Sequence, residues 1–116
     1  MQSVCNVLKL FSSDFPYFRV KNPEKFIGYV VPDSLRTNWS LDIRGDEFAI
    51  PAICKNVDTI DMFHYDSDKS YSGRLFAIQQ IPKKLSSNSI VLIDDIQDNL
   101  FFKNLMDYLR CEYQVF

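Results

Sequence analysis

Two short apolar runs, each closed by aspartates and joined by a stretch of helical spacing, constrain this chain more than any other feature. The first, at residues 60–65, leads into Asp66-Ser67-Asp68, and the second, at residues 90–93, leads into Asp94-Asp95. Between them Tyr71, Leu75 and Ile78 recur at i, i+4 and i+7, which places them on one face of a helix that ends before Pro82. Strands joined by a crossover helix lie parallel, so their carboxyl ends share one edge, the edge at which open α/β sheets bind ligands. Asp66, Asp68, Asp94 and Asp95 are therefore expected on one rim. Like charges gathered there repel and call for a compensating cation or donor.

The remaining stretches read as elements of the same architecture. Residues 3–8 and 39–43 are expected strands, and residues 11–20 a loop because of their serines and Pro16. Asn22-Pro23 and Gly28 bracket a short helix by its start and stop signals, and residues 31–36 make a further single turn. A turn at Gly45-Asp46 precedes a helix at 47–55, with Pro51 expected near its first turn. Residues 60–65 are nearly continuous in apolar character, as in strands covered on both faces. Residues 83–89 read as a polar connection. Asn99 opens a helix with the apolar stripe Phe102, Leu105, Met106 and Leu109, and residues 112–116 suit a terminal strand. The alternation predicts a single α/β domain over residues 1–116, its strands at 3–8, 39–43, 60–65 and 90–94 parallel in one sheet.

Composition removes several classes of partner. With 47% hydrophobic and 24% charged residues the chain has a globular rather than a disordered composition. A net charge of −2 provides no basic footprint, so neither nucleic acid nor an anionic membrane is an expected partner. No apolar run approaches the ~20 residues that span a bilayer, and no secretory leader pattern opens the chain, so a cytoplasmic location is expected. Cys5, Cys54 and Cys111 are odd in number and lack a C-x-x-C pair, which suggests neither a disulfide framework nor a zinc site.

The rim carboxylates admit several chemistries. Asp66 or Asp68, with Asp94 and Asp95, offers the hard oxygen ligands that suit magnesium or calcium. Asp66-Ser67-Asp68 also matches the D-x-D of metal-binding nucleotide-sugar transferases, although nothing upstream resembles a nucleotide-binding half. A phosphoreceiver pocket at Asp94-Asp95 fails, because too few residues follow for the strands such a domain needs. Acids at strand ends also cap following helices without binding any ligand. His64 is either a general base or a histidine satisfied within the sheet.

Together these segments resemble a known family. T-I-D-M-F-H-Y-D-S-D-K-S-Y, the crossover helix and I-V-L-I-D-D-I-Q-D-N are similar to the central part of class I S-adenosylmethionine-dependent methyltransferases. The similarity is greatest to a group with an I-D-h-F-h-H-D-S-x-H-[ST]-Y segment, where h is apolar. It extends upstream through N-P-E-K-F-I-G-Y-V-V-P-D-S-L-R-T-N-W-S-L and covers residues 1–116. The resemblance implies a Rossmann-like, mainly parallel sheet and methyl transfer to an oxygen or nitrogen of a small-molecule acceptor. It places Asp66 at the metal-binding aspartate of O-methyltransferases resembling catechol methyltransferase, and Asp94 and Asp95 at that group's Asp-Asn pair. The implied site has Asp66, Asp94 and Asp95 on magnesium, His64 and Asp66 in catalysis, and Gly45, Asp46 and Asp66 beside S-adenosylmethionine. A divalent ion in such a site lowers the pKa of an acceptor hydroxyl and orients it.

The departures from the family are specific. Lys69 stands where the subgroup often has a histidine, and Asp95 replaces the amide of the pair. Gly28, Gly45 and Gly73 are the only glycines and form no G-x-G, so the family's glycine-rich first turn has no counterpart. The acid that ends the family's second strand has no match either, since Cys5 or Asn6 stands in that region. The sheet is thus expected to be incomplete, its first and last strands missing, and its open edges to favour a homo-oligomer. Two functions are expected from this pattern: a methyltransferase fragment, or a non-catalytic remnant or interaction module that kept the sheet.

Overall fold

The structure, a computed structural model, describes residues 8–116, so the strand expected at 3–8 lies outside the described residues except for Leu8. The chain is α/β. Its elements are β1 (Leu10–Ser13), β2 (Trp39–Asp42), α1 (Asp46–Asn56), β3 (Ile60–Tyr65), α2 (Tyr71–Gln80), β4 (Leu85–Ile93) and α3 (Phe101–Leu109). Single 3-10 turns occupy Pro23–Lys25, Asp33–Leu35 and Ile96–Asp98. The one sheet expected of four strands is instead two parallel pairs, β1 with β2 and β3 with β4. The contacts divide the chain into two units, one through Ile53 and the other from Cys54, with the boundary inside α1.

In the first unit, β1 occupies part of the stretch expected as a loop. Its serines, which read as loop residues, have specific partners: Ser12 Oγ accepts from Trp39 Nε1 at 3.0 Å, and Ser13 Oγ donates to Asp46 Oδ1 at 2.8 Å. Pairing with β2 therefore overrides weak local strand propensity. The helix expected at residues 22–28 shrinks to one 3-10 turn, because Asn22 adopts a left-handed backbone and its side chain caps nothing. Gly28, at φ 68°, lies so close to the Trp39 indole that a Cβ there would sit 2.5 Å from the ring. The helix α1 starts early, at Asp46, with the Gly45 carbonyl accepting from Ala49 at 2.8 Å. Pro51 consequently stands inside the helix rather than in its first turn, and its missing N–H leaves the Glu47 carbonyl without the usual helical donor.

In the second unit, β3, α2 and β4 form a parallel strand–helix–strand unit, with His64 opposite Leu92 and Tyr65 opposite Ile93. The strand β4 begins at Leu85, inside the expected polar connection, and its register shifts opposite Ile60 to Met62. Such an irregularity lets Ser86 to Ser89 belong to a strand without continuous pairing. Only one face of β3 is covered, contrary to the expectation of two. Phe63 and Tyr65 stack with ring centroids 6.2 Å apart and Tyr65 is buried, whereas Met62 and His64 are exposed.

The buried side of α2 is also offset from the expected stripe. Arg74, Ala77 and the following Ile81 are buried, while Tyr71 and Leu75 are exposed. Tyr71 nevertheless meets the buried Phe101 of α3 edge-on at 5.4 Å, tying the two helices together. Asn99 opens α3 as expected, its Oδ1 accepting from Phe101 N at 3.0 Å. The terminal strand expected at 112–116 does not form: these residues pair with no strand and are exposed. Arg110, in a left-handed conformation, ends α3, and Tyr113 then packs edge-on against Phe102 at 5.5 Å. Among the described residues no helix is long and apolar enough to cross a membrane.

Candidate functional site

The parallel pairing of β3 and β4 brings their carboxyl ends together within the second unit, and the Asp94 amide donates to the Tyr65 carbonyl at 3.0 Å. The four acids beyond those ends take three different roles. Asp66 Oδ1 and Asp95 Oδ2 both receive the Lys69 ammonium, the second at 2.7 Å. Asp68 Oδ1 accepts from Ser70 N at 2.8 Å, and Ser70 Oγ caps α2 by accepting from Gly73 N at 3.0 Å. Asp94 Oδ1 accepts from Asp95 N at 2.8 Å. Of the four acids expected on one rim, Asp66 and Asp95 are joined, and the cation between them is a side chain of the chain itself.

Electrostatics follow from that bridge. The ammonium of Lys69 holds the Asp95 carboxyl below its usual pKa, helped by the Gln97 amide. Reciprocally, Asp66 and then Asp95 raise the Lys69 pKa well above the ordinary lysine value. An ammonium has three donors, and two of them serve these carboxylates. Its side chain retains 36% of its exposure, so the remaining N–H can reach solvent or a ligand oxygen.

Two residues that sequence reasoning missed fix the geometry. Arg74, only 1% exposed, donates through Nη2 to the carbonyls of Asp95 at 2.8 Å and Asp94 at 3.3 Å. That clamp accompanies the left-handed backbone of Asp95, at φ 49°, a conformation uncommon outside glycine. Asn99 Nδ2 donates to the Lys69 carbonyl at 2.8 Å and so anchors the loop that carries the ammonium. An arginine on a helix normally reads as a solvated charge, and nothing in its spacing distinguished Arg74. The signal for Lys69 was available in its position three residues after Asp66.

Beside the rim lies a groove of about 1060 Å³. His64, Ile90, Leu92, Phe102 and Leu105 contribute to its walls, and Asp94 and Asp95 reach it as well. An apolar ring or chain could lie along it with a polar group at the rim.

The other site expectations fall elsewhere. Gly45 and Asp46 belong to the first unit, whereas Asp66 belongs to the second. Gly45 has φ 84°, but a Cβ there would meet only Phe15 Cβ at 3.8 Å, an ordinary contact. Asp46 already accepts from Ser13. The two acids of the D-x-D pattern have separate partners, Lys69 for Asp66 and the start of α2 for Asp68. Among the described residues no three of His, Cys, Asp and Glu are grouped so as to hold a metal ion. Cys54 and Cys111 are free thiols, and burial pushes the Cys54 pKa up; Cys5 lies outside the described residues. Comparison with family models, curated proteins and solved structures returns no match for this chain.

Proposed function

We propose that this chain is a methyltransferase-like α/β domain, an incomplete Rossmann-like sheet akin to class I S-adenosylmethionine-dependent enzymes. One observation carries the reading. Adjacent parallel strands joined by a helix end in aspartates that share a cation at the mouth of an apolar groove. A small-molecule acceptor would lie in the groove, with its oxygen or nitrogen at the rim.

Within this reading the chain's residues divide the work. His64, exposed and lining the groove, is the candidate base for the acceptor's proton, while Asp66 acts through the ammonium it holds. The free donor of Lys69 would orient an acceptor oxygen. S-adenosylmethionine would supply the methyl group when bound. The residues expected beside it fit poorly: Gly45 makes no close cradle, Asp46 is bonded to Ser13, and the sequence has no G-x-G turn. The chain as it stands should therefore hold the cofactor weakly, since ordering a ligand costs an estimated ~4–15 kcal/mol that few contacts cannot offset.

Chemical-shift mapping with S-adenosylhomocysteine tests this. Weak, saturable shifts confined to the rim loops after β3 and β4 are expected. No shift at millimolar ligand would remove the methyltransferase reading, whereas micromolar affinity would refute the argument from the missing turn. A non-catalytic interaction module is the second reading, favoured by the exposed apolar run Ile90, Val91 and Leu92 on β4.

A further inference from the structure

The rim poses a question of charge that does not depend on methyl transfer. Asp66, Asp94, Asp95 and Asp98 follow the carboxyl ends of β3 and β4 and are carboxylates of the kind that ligate divalent cations in many proteins, although among the described residues no three acids are grouped to hold one. Here one oxygen of each carboxylate already has a partner. Lys69 Nζ lies against Asp66 Oδ1 and 2.7 Å from Asp95 Oδ2, Arg74 Nη2 lies 3.8 Å from Asp98 Oδ2, and Asp94 Oδ1 is taken by a backbone amide. The placement of Lys69 is built rather than incidental. Asn99 holds its carbonyl, and Arg74 holds the two carbonyls of the opposing loop.

We propose that Lys69 is the resident cation of this rim, occupying the position a divalent ion would need and thereby making the site metal-independent. The inference is an alternative to the expectation that Asp66, Asp94 and Asp95 ligate magnesium. An ammonium nitrogen accepts oxygen neighbours at about 2.7–2.9 Å. Calcium holds oxygens at about 2.3–2.6 Å with flexible geometry, whereas magnesium demands about 2.0–2.1 Å and a strict octahedron. Removing the ammonium should therefore leave a gap suited to calcium better than to magnesium. A divalent ion bridging Asp66 Oδ1 and Asp95 Oδ2 would have to displace Lys69 from both.

The test is calorimetric titration of the full chain with calcium chloride, comparing wild type with Lys69→Gln and Lys69→Arg. Wild type and Lys69→Arg should show no saturable binding at millimolar calcium. Lys69→Gln should bind one ion saturably within that concentration range, and adding Asp95→Asn should abolish that binding. Equal calcium affinity in wild type and Lys69→Gln would overturn the proposal, as would a folded Lys69→Gln that binds nothing. Should Lys69→Gln not fold, the wild type still decides: its Lys69 ammonium 1H–15N resonance should persist unshifted through a millimolar calcium titration. A calcium-dependent shift or loss of that resonance would show the ion displacing the lysine.

Discussion

Lys69 and Asp95 bind each other in a way that makes the rim sensitive to pH at both extremes. The Asp95 carboxyl titrates below its ordinary 3.8 because the Lys69 ammonium favours its charged form. A depressed folded pKa contributes stability above the unfolded value, and that contribution is lost as the pH falls through the lower folded value. Lys69 has the opposite sign: its pKa is raised above 10.5, so its contribution is complete below that value and is lost as the pH rises through the higher folded one. The melting-temperature difference between wild type and Lys69→Gln should thus be constant across the neutral range and shrink at both strongly acid and strongly alkaline pH. Salt should reduce it, because the pair is partly exposed. A difference that persists unchanged in acid would show that Lys69 acts through packing rather than through Asp95. The positions of Asp66 and Asp95 were legible in sequence because a strand ending fixes where the next residue goes. The partner of each was not, because which oxygen faces which donor depends on loop conformations such as the left-handed Asp95.

At the scale of elements, α2 shows how sequence and structure part. Its existence followed from spacing, yet its buried side is Arg74, Ala77 and Ile81 rather than Tyr71 and Leu75. Periodicity names a stripe by hydrophobicity alone, and it cannot foresee that a guanidinium will go inside to serve two carbonyls. The start of α2 is more informative. Asp68 folds over Gly73 so closely that a Cβ on Gly73 would overlap the carboxylate. Gly73→Ala should therefore lose stability, although alanine is ordinarily favoured over glycine in a helix by about 1 kcal/mol. Displacing Asp68 removes its bond to Ser70 N and disturbs a cap of a kind worth about 1 kcal/mol. Urea denaturation should place Gly73→Ala below wild type, and the double variant Asp68→Ala, Gly73→Ala above Asp68→Ala alone. A stabilising Gly73→Ala in the wild-type background would show that Asp68 moves aside without cost.

At the scale of the whole molecule, the open sheet edge sets the expectation for assembly. Among the described residues β4 pairs only with β3, and it carries no charged residue from Leu85 to Ile93. Edge strands that remain monomeric are commonly protected by charge, proline, shortness or a covering element, because unpaired backbone groups invite another chain. Here Ile90 is 57% exposed, and Val91 and Leu92 are exposed beside it. A second copy can satisfy this edge by two-fold antiparallel pairing of β4 with β4, since such an interface presents the same patch from both sides. The four apolar residues at 90–93 would then face their own counterparts, and the ladder would join two strand pairs into one longer sheet. Sedimentation velocity over a concentration series should show reversible dimerisation. Ile90→Lys should shift the chain to monomer without unfolding it, because that side chain is largely exposed and a lysine on each copy places like charges together across the seam. A wild type that stays monomeric at the highest attainable concentration, or a dimer indifferent to Ile90→Lys, would rule out β4 as the pairing edge.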